Sequence, residues 1–188
     1  LMLAEALAPL AREYDMILID TPPTRPVVLQ LVLGATRWLV VPTKSDRSSI
    51  GNLAELAAEL AEVRHVNPQA EVLGVVPFDF DKQATRVNRD ALEDIKTVLD
   101  GAASVFVDDA EDVITIRHSV AAVDARAAGK LVHELAEVKS EEEAGEPWWK
   151  ALREGHRPER IPGSVGALAD DHLLLTNAIV TRIGKFEA

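Results

Sequence analysis

The hydrophobic positions of this 188-residue chain follow two patterns that alternate along most of its length. Short continuous apolar runs are typical of strands that are buried on both faces in a parallel sheet. Longer segments with apolar residues three or four positions apart indicate helices that bury one side. The apolar runs that we interpret as strands are Met16–Asp20, Arg37–Thr43, Glu71–Phe78 and Val113–Ile116.

Helical patterns lie between these runs. They cover 2–13 with an interruption at Pro9, 28–33, 48–66, 89–99, 121–137 with a break near Gly129, and 168–183. Strands that alternate with helices at this spacing predict an α/β fold, a mainly parallel sheet flanked by helices. Ligands of such sheets bind beyond the carboxyl ends of the strands, where Asp20, Thr43 and Asp79 are expected to lie.

The composition of the sequence changes near Lys139. The segment 140–147 is acidic and turn-forming, which is typical of a linker, and Trp148-Trp149 follows it. Residues 153–160 then carry mixed charges, before the last helical pattern. We therefore predict one domain over 1–138 and a linker with a carboxy-terminal appendage over 139–188.

Composition narrows the possible classes of function. The absence of cysteine excludes a disulfide scaffold, thiolate zinc and an iron–sulfur cluster. No apolar run approaches the roughly 20 residues of a membrane span, so we expect no membrane association. A net charge of −11 repels phosphate backbones on average, so contact with nucleic acid requires a local basic patch. Lys82, Arg86 and Arg89 cluster with Asp81 and Asp90, and we interpret this cluster as a mixed solvated surface.

The segment Tyr14–Pro23 is the part of the sequence that points most directly to chemistry. Its apolar run is predicted to form a strand that ends at Asp20, and Pro22 and Pro23 stiffen the loop that follows. A carboxylate in this position can hold Mg²⁺ through the water shell of the ion. The rigid loop could respond to the presence or loss of a γ-phosphate. The alternative is a parallel strand whose final Asp caps the next helix.

The order Y-D-x-I-L-I-D-x-P-P resembles the Walker B segment of the ParA/MinD group of deviant-Walker ATPases. Three later segments resemble further parts of that family in the same order. These are Trp38–Thr43, Gly74–Asp79, and Ile114–Ser119 with its trailing Ala125, Gly129 and Lys130. The resemblance extends over roughly residues 3–137.

The resemblance implies a P-loop NTPase-like fold that binds ATP and Mg²⁺. Asp20 would be the catalytic residue and would hold the metal through water, Thr21, Pro22 and Pro23 would form the nucleotide-sensing loop, and Phe78, Arg117 and His118 would border the base. It also implies an ATP-bound homodimer, nonspecific DNA binding, a ParB-like partner and a cytoplasmic, nucleoid-associated location. Arg86, Arg89 and Lys82 would then be the DNA-binding candidates.

The phosphate-binding loop of this family, K-G-G-x-G-K-[ST], is not found in residues 1–188. Such loops need clustered glycines so that backbone N–H groups can approach the phosphates. The ten glycines of the chain form no such cluster, and Gly163-Ser164-Val165-Gly166 lacks the Gly-Lys-Ser/Thr ending.

The strand that carries this loop is central in the family, so we expect a sheet that is incomplete at its amino-terminal strand and has an unpaired edge. Since the sequence starts at Leu1, we expect a fragment of an ATPase for plasmid or chromosome partition. The alternative is a non-catalytic binding or regulatory relative that does not hydrolyse ATP.

Overall fold

The computed structural model describes residues 2–22, 26–81, 85–101, 103–144 and 162–187. Its α-helices are α1 (Met2–Leu7), α2 (Pro26–Leu33), α3 (Arg47–Val63), α4 (Thr85–Leu99), α5 (Ala121–Ala127), α6 (Val132–Ala144) and α7 (Val165–Glu187). Its strands are β1 (Trp38–Thr43), β2 (Glu71–Phe80) and β3 (Ile116–Arg117). A short 3-10 helix over Leu10–Arg12 follows α1, because Pro9 interrupts the predicted first helix.

The prediction of an α/β fold with a mainly parallel sheet flanked by helices is confirmed. The three strands form a parallel sheet in the order β1-β2-β3, and α3 is the helical connection from β1 to β2. In this order β1 lies at one edge of the sheet within the described residues, and Val40 is 39% exposed there.

The predicted strand Met16–Asp20 is wrong for this structure. The segment has no regular secondary structure, and Leu18 in its middle is 87% exposed. An apolar run becomes a buried strand only where a neighbouring strand supplies hydrogen bonds and a second layer covers the side chains. Among the described residues, the sheet order provides no neighbour for this run.

The predicted strand Val113–Ile116 is displaced. Val113 forms an isolated antiparallel bridge with Val107, and the parallel strand consists of Ile116–Arg117. The backbone between the bridge residues closes through hydrogen bonds from the Asp108 N–H to the Asp112 carbonyl and from the Glu111 N–H to the Asp108 carbonyl. A tight hairpin therefore occupies the region just before β3.

The chain folds into two compact units, each of which packs mainly against itself. The first unit comprises Leu1–Val76 and Arg89–Val105, and the second comprises Pro77–Asn88 and Phe106–Ala188. The predicted boundary between residues 138 and 139 lies within α6, and the predicted linker is helical up to Ala144. The division into 1–138 and 139–188 stays a prediction. The predicted linker residues 145–147, Trp148-Trp149 and residues 153–160 lie outside the described residues.

In the first unit, one apolar cluster joins α2, α3 and the start of β2. Leu33, Leu60, Val63 and Ala70 are buried together there. The turn after α3 is tied to the loop after α2 by Asn67, whose Nδ2 donates to the carbonyls of both Leu33 and Thr36, over 2.9 and 2.8 Å. These bonds satisfy carbonyls at the end of α2 that have no partner within the helix.

In the second unit, the core lies where α5 and α6 pack against α7, which also contacts β3. Its most buried members come from several elements: Phe80, Phe106, Ile114, Ile116, Ala121, Ala125, Leu135, Val165 and Leu168. α7 packs against α6, α5 and β3. Gly129, with φ of 64°, allows the sharp turn between α5 and α6 and accounts for the predicted break. None of the helices in the described ranges is long and apolar enough to cross a membrane.

Candidate functional site

The segment that carries Asp20 belongs to the first unit. Asp20, Thr21 and Pro22 are exposed, and Pro23 lies outside the described residues. Within the described part of the chain, no group of three or more His, Cys, Asp or Glu residues could hold a metal ion by itself. One exposed carboxylate fits the way in which Mg²⁺ is usually held in nucleotide sites, through its waters and one or two carboxylates together with substrate phosphates. Asp20 is therefore suited to assist a nucleotide-bound metal but not to bind one alone.

In the second unit, the carboxyl end of β2 is shaped by a bulge. Phe78 is paired with Ile116 and Phe80 with Arg117, so that two steps along β2 correspond to one step along β3. Asp79 is the extra residue and has a φ of 63°, in the left-handed region that favours glycine. Bulges of this kind change the direction of a side chain and are frequent beside functional sites. Phe78, a predicted neighbour of the base, is 41% exposed at this place.

The bulge brings the Asp79 carboxylate to the imidazole of His118. The distance from His118 Nδ1 to Asp79 Oδ1 is 2.6 Å, and the His118 backbone N–H donates to the carbonyl of Phe80 over 2.9 Å. The His118 side chain is 66% exposed, whereas that of Asp79 is 29% exposed. A neutral imidazole that donates from Nδ1 keeps an unprotonated Nε2 as a hydrogen-bond acceptor. In that tautomer, the exposed imidazole of His118 offers a hydrogen-bond acceptor at the end of β3.

The guanidinium of Arg117, which is also predicted to border the base, is hydrogen-bonded to Asp171 of α7. Arg117 Nε lies 2.5 Å from Asp171 Oδ2, and Arg117 Nη2 lies 2.7 Å from Asp171 Oδ1. The Arg117 backbone N–H also donates to Asp171 Oδ2, over 3.1 Å. Hydrogen bonding to Asp171 raises the pKa of Arg117, against the opposing effect of burial, so the guanidinium stays charged. Such a two-point fork gives both strength and orientation to the contact.

The predicted site residues thus fall into two groups, each described within its own unit. Phe78, Arg117 and His118 are brought together at the ends of the paired strands β2 and β3. Asp20, Thr21 and Pro22 belong to the first unit. Of the basic candidates, Arg86 and Arg89 are exposed on α4, and Lys82 lies outside the described residues.

Asp171 was not predicted as a site residue from the sequence. It is a buried acidic residue on the core-facing side of α7, only 7% exposed. A signal did exist: Leu168, Asp171 and Leu175 are spaced three and four positions apart, so that an acid interrupts an apolar stripe. A carboxylate in such a position needs a partner. The identity of that partner, Arg117, which is 54 positions away, could not be read from the sequence.

Comparison with known proteins adds an independent observation on the first part of the chain. A family model described as an AAA domain matches residues 1–72, a range that contains the whole Tyr14–Pro23 segment.

Several curated relatives match over a comparable length. The chain is 31% identical to the Maintenance of carboxysome distribution protein A of Synechococcus elongatus over 81 residues, which are 42% of this chain and 31% of that protein. It is 31% identical to the Chromosome partitioning protein ParA of Myxococcus xanthus over 83 residues, 44% of this chain and 29% of the relative. It is 26% identical to a ParA family protein of Mycoplasma pneumoniae over 95 residues, 50% of this chain and 34% of the relative.

The chain spans about a third of the length of these relatives. The matches agree with the Walker B-like segment and with the parallel α/β sheet. The match of the family model to residues 1–72 and the similarity to these relatives support a ParA-type ATPase family.

Proposed function

We propose that this chain is part of a ParA-like ATPase that acts in plasmid or chromosome partition. The observation that carries the proposal is the Tyr14–Pro23 segment, which lies within the residues matched by the family model. A relative from Myxococcus xanthus bears the name Chromosome partitioning protein ParA, which supports a role in partition. ATP hydrolysis would be coupled to dimerisation and to nonspecific DNA binding, with a ParB-like partner. The protein would act in the cytoplasm, on the nucleoid.

In the proposed function, ATP and Mg²⁺ would supply the phosphate chemistry, and residues of this chain would bind and orient them. Asp20 would hold the metal through its water shell, and Thr21, Pro22 and Pro23 would respond to the γ-phosphate. Phe78, which is 41% exposed, and the exposed imidazole of His118 would border the base. Arg117 would border the base while its guanidinium stays with Asp171.

The same proposal requires phosphate-binding groups that residues 1–188 do not provide. We therefore expect no detectable Mg²⁺-dependent ATP binding by this polypeptide at micromolar nucleotide, as measured by isothermal titration calorimetry. The physical reason is that the phosphates supply most of the charge of the ligand and would meet no glycine-rich backbone cradle. Clear binding at this concentration would contradict our account of the missing loop.

The reading frame upstream of Leu1 separates the two candidate functions. An in-frame K-G-G-x-G-K-[ST] segment supports the ATPase, and the extended polypeptide should then hydrolyse ATP. In that polypeptide, Asp20→Ala should abolish Mg²⁺-dependent hydrolysis. The matched control Asp15→Ala removes an exposed carboxylate from the same segment and should retain hydrolysis.

A stop codon upstream, together with the absence of ATP binding, would favour the second candidate. This is a non-catalytic ParA-like protein that binds or regulates another subunit. The lack of the loop in residues 1–188 is the observation that supports it.

A further inference from the structure

Both chain neighbours of His118 are anchored to α7 and to the residue just before it. On one side, Arg117 is held by Asp171 through one backbone and two side-chain hydrogen bonds. On the other side, Ser119 Oγ lies 2.8 Å from Ser164 Oγ, immediately before Val165 begins α7. The segment that carries His118 is therefore fixed at two points by the same part of the chain.

The part of α7 that makes these contacts is buried. Val165 and Leu168, in the first turns of α7, are 0% and 1% exposed, so this end of the helix is set in the core of the second unit. Asp171 follows on the same side and is itself buried. Loss of one partner of a buried charge pair leaves the other charge uncompensated and displaces it. Any change at Asp171 should therefore be transmitted to residues 117–119.

The imidazole between the two anchors is exposed and has a set orientation. Its Nδ1 faces Asp79, which the β2 bulge aims at it through a backbone conformation that is unfavourable for a residue other than glycine. Strained residues persist where the surrounding structure holds them, and they concentrate at functional sites. This contact favours the tautomer that is protonated at Nδ1, in which Nε2 is an acceptor.

We propose that α7 is a positioning element for His118, with Asp171 and Ser164 as its positioning residues, and that Asp171 thereby maintains the Asp79–His118 pair. The proposal deepens the proposed function, on which it rests only in assigning the nucleotide base as the group that His118 would meet. Residues 162–187, which the sequence analysis placed in an appendage, thus become part of the ligand-facing end of β2 and β3.

The test is a nitrogen–proton correlation spectrum of the histidine rings of the full 188-residue chain at about pH 8.5, where a free imidazole is neutral. His118 is assigned by its disappearance in His118→Gln. In the wild type we expect the tautomer that is protonated at Nδ1, with Asp79→Gly, which removes the acceptor oxygens, shifting the signals towards the mixture seen in free histidine. Asp171→Asn should produce the same shift, although residue 171 does not touch the His118 ring.

Asp170→Asn is the matched control, because Asp170 is an exposed acid next to Asp171 and its loss changes the net charge equally. We expect it to leave the His118 signals unchanged. Amide hydrogen exchange of α7, measured on the same samples, reports whether the helix has come loose. An unchanged His118 tautomer in an Asp171→Asn protein with a loosened α7 overturns the proposal.

If Asp171→Asn unfolds the second unit, two milder variants test the positioning role instead. Arg117→Lys keeps the charge but loses the two-point fork, and Ser164→Ala removes only the hydroxyl contact with Ser119. Both should shift the His118 signals part of the way, and folded variants without any shift overturn the proposal. No nucleotide is present in these measurements, so a failure of ATP binding cannot be confused with a failure of the positioning role.

Discussion

Asp46 precedes α3 and shows how a single residue decides where an element begins. Its Oδ1 accepts from the Ser49 backbone N–H over 2.9 Å, and its Oδ2 accepts from the Ser49 hydroxyl over 2.7 Å. The side-chain bond from Ser49, and then the backbone bond, lower the pKa of Asp46. The pattern of apolar residues predicts that this helix begins at Ser48, whereas its cap is the acid two positions earlier.

We expect Asp46→Ala to lower the melting temperature by a few degrees, since the first turn of α3 loses the acceptor for a backbone N–H. Because the folded pKa is lowered, the stabilisation is complete above the ordinary Asp value of 3.8 and is lost as the pH falls through the folded value. Thermal melts from pH 7 downwards should show the wild type and the variant converging in acid. Asp46→Asn, which keeps an acceptor oxygen, should melt close to the wild type at pH 7. A constant difference between wild type and Asp46→Ala at all pH values would contradict the role of the carboxylate.

At the scale of elements, the same kind of apolar run has two outcomes in this chain. Glu71–Phe80 becomes the buried strand β2, whereas Met16–Asp20 remains irregular and largely exposed. The two runs are similar in composition, so intrinsic preference does not separate them. β2 has β1 and β3 as neighbours, and the described residues offer Met16–Asp20 none. Strand preference is expressed through such packing and pairing rather than through the isolated backbone.

A pair of identical substitutions tests this difference. Leu18→Ala should change the free energy of unfolding by at most about 0.5 kcal/mol, because the side chain is 87% exposed. Leu33→Ala, at a position that is 0% exposed in α2, should cost about 2–5 kcal/mol. Urea denaturation of the 188-residue chain measures both. Equal losses would mean that Leu18 is buried in solution. In a longer polypeptide that supplies a neighbouring strand, we expect the cost of Leu18→Ala to rise.

At the scale of the whole molecule, charge is the dominant property. The chain carries 31 acidic and 20 basic residues and has a net charge of −11 at pH 7. Like-charge repulsion opposes the association of copies in neutral solution and opposes contact with nucleic acid away from local basic patches. Any DNA binding by Arg86, Arg89 and Lys82 would therefore have to overcome the average field of the protein and should weaken as salt is added.

We expect the solubility of the chain to pass through a minimum near pH 4.9, its isoelectric point, because the repulsion between copies vanishes there. Turbidity and the concentration of protein left after centrifugation, followed from pH 7 to acid, measure the minimum. The exposed apolar residues Met16 and Leu18 provide contacts for association once the charge is lost. A minimum well above pH 4.9 would mean that those contacts, and not the net charge, control solubility. In that case, Leu18→Ser should abolish the solubility minimum.

Local pattern alone was sufficient for most of the elements. The helices α3, α4 and α7 and the strands β1 and β2 were predicted, with ends displaced by a few residues, because their periodicity and caps are properties of nearby positions. The rule that parallel strands present their carboxyl ends to a ligand predicts Asp20, Thr43 and Asp79 as ligand-facing residues, whereas Phe78 and His118 follow from the family resemblance. The roles of these residues stay predictions.

The sequence by itself therefore determined the α/β class, the alternation of elements and the resemblance of Tyr14–Pro23 to the Walker B segment of ParA/MinD-type ATPases. Only the tertiary structure decided that Met16–Asp20 lacks a strand neighbour, that Asp79 is a bulge residue aimed at His118, and that Arg117 is bound by Asp171. The reason is physical. Periodicity depends on neighbours in the chain, whereas strand pairing, bulges and buried ion pairs depend on which distant residues the fold brings within hydrogen-bonding distance.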